Sequence, residues 1–406
     1  MNRPFDLIVF GATGFTGRLV AEYLVRTAGD PPALRWAMAG RSASKLAAVR
    51  DAIGAPADLP LITAEAADPV ALDALVSQTR AVITTVGPYQ RHGTPLVEAC
   101  ARAGTDYVDL CGEPGWMAEM IPRLQPVAAA SGARIVFSCG FDSIPFDLGV
   151  VVLQDAALQR FGQPLASVKG RVRVMKGGFS GGTVASLLAT LERTADDPAL
   201  KRTLADPFAL TPGFIGPRQA DGDDAVYDED LESWAGPFVM ATINTKNVHR
   251  TNALRGHPWG AGFHYDERLL TGDGPAGERR ARRLVRTTWW QNLFLGLAPT
   301  RALLRAFVLP KPGQGPGESE RESGRYELVF SGETADGRGL QARVTGDRDP
   351  GYGSTSKMIA EAARCLLEDV DRDATPGGVW TPGAAMGLAL ARRLQARAGL
   401  AFEVAD

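Results

Sequence analysis

The sequence predicts an α/β protein, an N-terminal doubly wound parallel sheet joined to a second α+β domain with a mixed or antiparallel sheet. Three observations carry that expectation. An apolar run, Leu7-Ile8-Val9-Phe10, empties into a glycine-spaced turn, Gly11-Ala12-Thr13-Gly14-Phe15-Thr16-Gly17. Strand and helix signals then alternate regularly through residue 145. Past Gly149 the alternation gives way to strands that meet through hairpins, and 406 residues are too many for one ordinary core.

In the first part, strands are expected at 5–10, 34–39, 60–64, 81–86, 106–110 and 133–138. Helices fall between them at 15–27, 43–53, 69–78, 92–103 and 116–130. Short turns and right-handed crossovers give the strand order 3-2-1-4-5-6, with ligands at the carboxyl ends of the strands. The glycine turn follows the first of these ends. Gly11 suits a tight turn, Gly14 a close approach of backbone to phosphate, and Gly17 close packing of helix on strand. The helix after it aims unpaired N–H groups and its positive dipole end at the same place. A dinucleotide pyrophosphate fits that arrangement, and a bland strand–turn–helix is the competing reading.

The second strand end decides between nicotinamide dinucleotides. A site for NAD usually places Asp or Glu there, on the ribose hydroxyls. Here the residues are Gly40-Arg41-Ser42, with Lys45 following. Arg41, Ser42 and Lys45 suit a 2′-phosphate, so NADP(H) is the expected cofactor; Ser42 is equally suited to cap the next helix. Ala67-Asp68 follows the third strand, as an adenine-pocket edge or a helix cap. Val86-Gly87-Pro88-Tyr89 follows the fourth, on the path from pyrophosphate to nicotinamide. Gly112-Glu113 follows the fifth and Gly140-Phe141-Asp142-Ser143 the sixth.

The boundaries expected are 1–148 for the nucleotide domain, 149–349 for a substrate or dimerisation domain, and 350–406 for helices returning to the first domain. Val168–Lys176 reads as a strand. Gly177-Gly178-Phe179-Ser180-Gly181-Gly182-Thr183 leads from it into a helix at 183–195, as an anion- or substrate-binding turn or a plain connection. The acidic stretch 221–230 reads as a solvated loop. Residues 238–244, 262–270, 324–331 and 340–346 read as strands, the last two as a hairpin around 333–338. Helices are expected at 354–370 and 382–398. Between Arg279 and Arg286 lie five arginines, followed by Trp289-Trp290 and an apolar stretch to Leu309. Trp290, Leu293, Phe294 and Leu297 share one helical face, and Leu304, Phe307 and Val308 another. Pro299 separates halves too short to span a bilayer. Residues 287–309 are thus a buried domain or dimer helix, or an interfacial helix on a membrane or beside a lipid-sized channel.

Composition narrows the function classes. Hydrophobic content of 45% and charged content of 22% describe a globular protein, and a net charge of -2 gives no reason to invoke nucleic acid. Cys100, Cys111, Cys139 and Cys365 form no CxxC pair, and His249, His257 and His264 lack metal-ligand spacing, so no metal site is expected. The N-terminus runs directly into the first strand with no signal-peptide pattern, which suggests the cytoplasm, with membrane association open through 287–309.

GATGFTG, AGRS, TTVGPY, CGFDSIPFDLG, GGT before a helix, KPGQGPG and TPGAAMG occur here in one collinear series from Phe5 to Leu390. In that series the chain resembles the saccharopine-dehydrogenase-like oxidoreductases, and among them the trans-acting enoyl reductases of mycobacterial and actinobacterial lipid synthesis. The resemblance implies a Rossmann domain, an inserted mixed α/β domain and NADP(H). It places the cofactor motif on Gly11, Thr13, Gly14, Phe15, Thr16 and Gly17, and the fourth-strand motif on Gly87, Pro88 and Tyr89. The expected reaction is reduction of a carbon–carbon double bond conjugated to an acyl thioester, hydride going to the β-carbon and a proton to the α-carbon. Tyr89 is the first candidate acid or carbonyl donor, with Asp142 and Ser143 at the same mouth and Lys357 a weaker option. An acyl-carrier domain docking on the arginines and a homodimeric assembly complete the expectation. Oxidoreduction at a C–N bond, and a non-catalytic NADPH-binding lipid-associated protein, are the alternatives.

Overall fold

A computed structural model describes residues 3–30, 33–177, 181–296 and 315–405, and side chains throughout these except at 181–185, 187, 195–196 and 291–296. The loop residues 178–180, the segment 297–309 and the start of KPGQGPG, all singled out in the sequence, lie outside them.

The first seven-stranded sheet grows from alternating units. They are β1 (Phe5–Phe10), α1 (Phe15–Thr27), β2 (Trp36–Gly40), α2 (Ala43–Ala52), β3 (Leu61–Thr63), α3 (Pro69–Ser77) and β4 (Thr79–Thr84), then α4 (Tyr89–His92), α5 (Thr94–Ala103), β5 (Asp106–Val108), α6 (Pro114–Ser131) and β6 (Arg134–Val136). All pairings are parallel. The order is the expected 3-2-1-4-5-6, with one strand added beyond β6 by the chain's last part. Alternation on β1 explains why its whole run is apolar: Leu7 and Val9 enter one core, Ile8 and Phe10 the other.

Helix α7 (Ile144–Phe161) starts at the end of the β6 loop and lies on the second sheet, where a Cβ on Gly149 would come within 2.4 Å of the Phe330 ring. That sheet takes β7 (Leu165–Lys176), then, after α8 (Gly181–Asp196) and α9 (Pro198–Ala205), β8 (Val226–Asp228) and β9 (Ser233–Pro237). Helix α10 (Ala241–Leu254) precedes β10 (His264–Gly272); α11 (Gly274–Gly296) and α12 (Glu318–Ser323) precede the hairpin β11 (Arg325–Thr334) and β12 (Gly339–Gly346). A π-helical turn (Pro350–Ser354) opens α13 (Thr355–Glu368), which packs on α1, β4 and β5. The chain then gives β13 (Gly378–Trp380) to the first sheet, and after α14 (Pro382–Ala385) and α15 (Gly387–Arg397) gives β14 (Leu400–Val404) to the second. The second sheet is mixed: β7 pairs parallel with β10 and antiparallel with β11. The C-terminal part therefore returns to the nucleotide domain as expected, and also adds a strand to each sheet.

Two sequence expectations change. Residues 238–244 were expected as a strand. Instead β9 stops at Pro237, which has no N–H for the ladder, and α10 starts at Ala241. The acidic stretch 221–230 is not wholly a solvated loop, because it contains β8, whose Asp228 is buried against Arg171. Among the described residues no helix is long and apolar enough to cross a membrane.

Candidate active site

At the carboxyl-end mouth of the first sheet, the β5 loop meets α8 through Glu113 and Ser186, and the β6 loop meets α10 through Ser143 and Asn247. At β1, Gly11 adopts φ +89° and donates its N–H to the Ala39 carbonyl at 3.0 Å. A Cβ on Gly17 would sit 2.2 Å from the Gly11 carbonyl oxygen, so only glycine lets α1 approach the strand this closely. Gly14 occupies the cap position of α1 with no side-chain cap, and the first turn contains no acidic residue. Its N–H bonds the Gly11 carbonyl at 2.9 Å, and a Cβ there would meet that same oxygen at 3.2 Å. The positive end of α1, from Thr13 to Thr16, thus has no capping side chain and is fitted to an anion such as a dinucleotide diphosphate.

At the end of β2 no acid appears. Arg41 and Lys45 are exposed and have no ion-pair partner among the described residues. Ser42 caps α2, its hydroxyl accepting the Lys45 N–H at 3.4 Å. Two free cations beside an uncapped helix fit the 2′-phosphate of NADP(H) and not a ribose diol. Ala67 and Asp68 are exposed after β3, where the Asp68 carboxylate caps α3 by accepting from Val70 and Ala71 at 3.0 and 3.2 Å.

Val86, Gly87 and Pro88 follow β4 at its carboxyl end, the Gly87–Pro88 bond being cis. The Tyr89 ring is buried against Trp116. Its hydroxyl donates to the Thr84 carbonyl at 3.2 Å and accepts the Leu110 N–H at 3.0 Å, stitching the β4 and β5 loops together. Burial, reinforced by Asp109, holds that phenol well above its ordinary pKa. Asp142 differs. Its half-buried carboxyl has no hydrogen-bond partner among the described residues, and desolvation pushes it up to about 6. Ser143, fully buried, accepts from the Asn247 side-chain amide on α10 at 2.6 Å.

Several residues here were not singled out as site residues in the sequence. Glu113 is 2% exposed and is the hub of the mouth. Its carboxylate accepts the N–H groups of Tyr89 and Gln90, each at 2.9 Å, and the Ser186 hydroxyl of α8 at 2.7 Å. Asp109 accepts from Cys111 and Ser138 N–H and the Tyr107 hydroxyl, each at 2.9 Å, yet burial lifts its pKa to about 7. Helix α10 buries polar residues, among them Asn244, Lys246, Asn247, His249 and Arg250. Asn244 and the Tyr265 hydroxyl both donate to Glu267, at 2.7 and 3.1 Å, and burial raises that carboxyl to about 8. His249 packs its ring against Phe208, and burial lowers it to about 3, so it stays neutral. The sequence signal for the hub is its place at the end of the fifth strand, as Gly112-Glu113; α10 has none, because polar residues at helical spacing read as surface. Lys357 lies on α13 near Asp347 and the Ala398 carbonyl, bonded at 3.5 and 3.3 Å.

Comparison with known proteins extends this picture. Residues 7–136 match the family model of the saccharopine dehydrogenase NADP binding domain. Over 99% of its length the chain is 42% identical to a Mycobacterium tuberculosis protein provisionally named a trans-acting enoyl reductase, spanning 97% of that protein. A trans-acting enoyl reductase of Mycobacterium bovis is 37% identical over 97% of this chain and 96% of its own, and one of Mycobacterium ulcerans 38% identical with the same coverage. Among solved structures, saccharopine dehydrogenase (L-Glu forming) of Saccharomyces cerevisiae aligns over 99% of this chain and 100% of its own with a TM-score of 0.53. At 15% identity that likeness is one of fold.

Proposed function

The chain belongs to the saccharopine-dehydrogenase-like family of trans-acting enoyl reductases and is an NADP-dependent oxidoreductase, and from that premise we propose that it reduces the double bond of an α,β-unsaturated acyl thioester. The observation that carries the reading is the mouth itself. An uncapped helix end and two cations without an ion-pair partner among the described residues stand on the nucleotide side. Asp142, beside Gly112 at the β6 loop, carries a carboxyl with no hydrogen-bond partner among those residues. Bound NADPH supplies the hydride that ends on the β-carbon. Gly11 through Gly17 hold the diphosphate, and Arg41, Ser42 and Lys45 the 2′-phosphate. Ala67 and Asp68 border the adenine, and Val86 through Tyr89 wall the nicotinamide. Asp142 holds a proton for the α-carbon, and desolvation keeps that proton in place to about pH 6. Ser143, fully buried and fixed by Asn247, anchors the loop that carries Asp142. Tyr89 positions the two loops through its buried hydroxyl.

Purified protein should oxidise NADPH with 2-enoyl thioesters and not with a keto acid plus an amino acid. The reverse preference overturns the proposal. Turnover should fall as pH rises through about 6, since the acid must carry its proton, and Asp142→Asn should cost about 100-fold and flatten that profile. For carrier-bound substrate, the exposed guanidinium groups of Arg279, Arg282, Arg283 and Arg286 on α11 offer a basic face for an acidic carrier helix. Charge reversal at Arg282 and Arg283 should weaken turnover of carrier-bound substrate alone; equal loss with a small soluble thioester sinks the docking idea. Homodimerisation, read by sedimentation, belongs to the same proposal.

A further inference from the structure

Residues 315–323, which lead into β11, cross back over the start of α1. The Gly315 backbone lies on Phe15, so close that a Cβ would come within 2.3 Å of the ring. Tyr352 meets the same ring edge-on at 5.0 Å. Arg321 of α12 sets its guanidinium carbon 5.8 Å from the Phe15 ring centre. Phe15 is the first residue of α1, so this cation stands beside the positive end of that helix.

The helix end by itself disfavours a cation there, and the Phe15 ring face and the through-space charge of Asp349 offset that only in part. The first turn of α1 carries no acid to offset it. Arg321 has no carboxylate at ion-pair distance among the described residues; of its five donors, one bonds the Pro316 carbonyl at 2.9 Å. The nearby acids are committed elsewhere. Asp349 spends both oxygens on the N–H groups of Tyr352 and Gly353, at 2.9 and 2.8 Å. Glu320 reaches back to the Gly317 N–H at 3.0 Å. An anion seated between the guanidinium and the helix end would be met from both sides.

We infer that Arg321 is a diphosphate ligand of the bound dinucleotide, reaching it from the segment that precedes β11. The inference rests on the NADP reading above. It makes the cofactor site a composite of two parts of the chain: backbone N–H groups of α1 on one side of the diphosphate, and a planar guanidinium fork on the other. Phe15 serves as the surface on which the Arg321 side chain rests, which explains a large aromatic ring inside a glycine turn.

The test is equilibrium binding to the full-length protein, with NADPH and with adenosine 2′-monophosphate, which carries the adenine and 2′-phosphate but no diphosphate. Arg321→Ala and Arg321→Gln should weaken NADPH about 10- to 100-fold, the range of one charge-assisted hydrogen bond, and leave adenosine 2′-monophosphate within about twofold. Arg321→Lys should recover part of the loss, keeping the charge without the fork. The inference is overturned if the alanine variant binds NADPH as the wild type does, or if both ligands weaken equally. A wild type that binds neither ligand overturns the cofactor reading itself, a result seen before any variant is made.

Discussion

In the first sheet β1 and β2 are apolar along their central lengths and buried on both faces, whereas the second sheet buries arginine beside acid. Arg171 on β7 is 3% exposed and bonds Asp228 at 2.6 Å and Asp266 at 2.8 Å; Arg268 on β10 bonds Asp266 and Asp224. The first sheet has such a pair as well, Arg134 on β6 with Asp106 on β5, but it lies away from β1 and β2. Those two strands need little from their side chains beyond packing and leave their ends free to present backbone groups to an anion. The second sheet is held in part by charges that matter only once paired. Together with α10 it offers what a backbone cannot, namely titratable and amide side chains in a dry setting. Under the proposed function the β1 and β2 ends bind the cofactor largely by backbone geometry, while the β6 loop, packed against α10, meets the second ligand with side chains.

The contrast breaks most visibly at Arg171. Arg171→Met leaves Asp228, whose second oxygen already lacks a partner, buried without a counter-charge. A loss of about 3–5 kcal/mol in unfolding free energy is expected, measured by denaturant titration. Pairing it with Asp228→Leu should return much of that loss, because desolvation, more than attraction, sets the cost. If the single variant is as stable as wild type, the second sheet is not held by its buried ion pairs.

Glu267 sharpens the same contrast through pH. Burial lifts its carboxyl from 4.5 to about 8, so the folded state prefers the protonated form. Its contribution to stability is therefore present in full below the unfolded value of 4.5 and is lost as pH rises through 8. Glu267→Gln should flatten the fall between pH 5 and pH 9, an effect on the order of 3 kcal/mol read from melting curves across that range. A wild type and variant with parallel pH profiles would remove Glu267 from the buried acids.

The two regions also differ in how far their sequence discloses them. α1 falls on 15–27 as expected and β1 on 5–10, because a fully buried parallel strand is a plain apolar run and the glycines punctuate it. The cradle at Gly11, Gly14 and Gly17 was legible for the same reason: steric need for glycine is local. Helix α10 was misread as a strand from its first residues, since its buried face is Asn244, Asn247 and Thr251, and periodicity reports burial only when the buried residues are apolar. Glu113, Asn247 and Arg321 owe their parts to partners far away in sequence, at Ser186, Ser143 and Phe15. Nothing in their neighbours announces those meetings.

On the nucleotide side, Gly17→Ala tests whether backbone geometry is the binding device. The added carbon would press on the Gly11 carbonyl oxygen and carbon, at 2.2 and 2.7 Å, neither of which can swing aside. A stability cost of about 1–3 kcal/mol should accompany a loss of NADPH affinity. Gly14→Ala, whose Cβ would meet the same oxygen at 3.2 Å, should cost less stability. Equal tolerance of both changes would mean the turn is slack.

The smallest expected effect asks whether any side chain of the first region chooses the ligand. Arg41 is exposed after β2, where a dinucleotide's ribose would lie, and it has no acid to neutralise among the described residues. Arg41→Asp replaces a cation that attracts the 2′-phosphate with an anion that repels it and that accepts from a ribose diol. The preference for NADPH over NADH should therefore fall by about tenfold or more and reverse, with fold stability unchanged, because the side chain is exposed and forms no ion pair among the described residues. Relative affinities from paired titrations of the two dinucleotides read this directly. Unchanged ratios would place the 2′-phosphate elsewhere, and Lys45, one helical turn further on, would be the next residue to reverse.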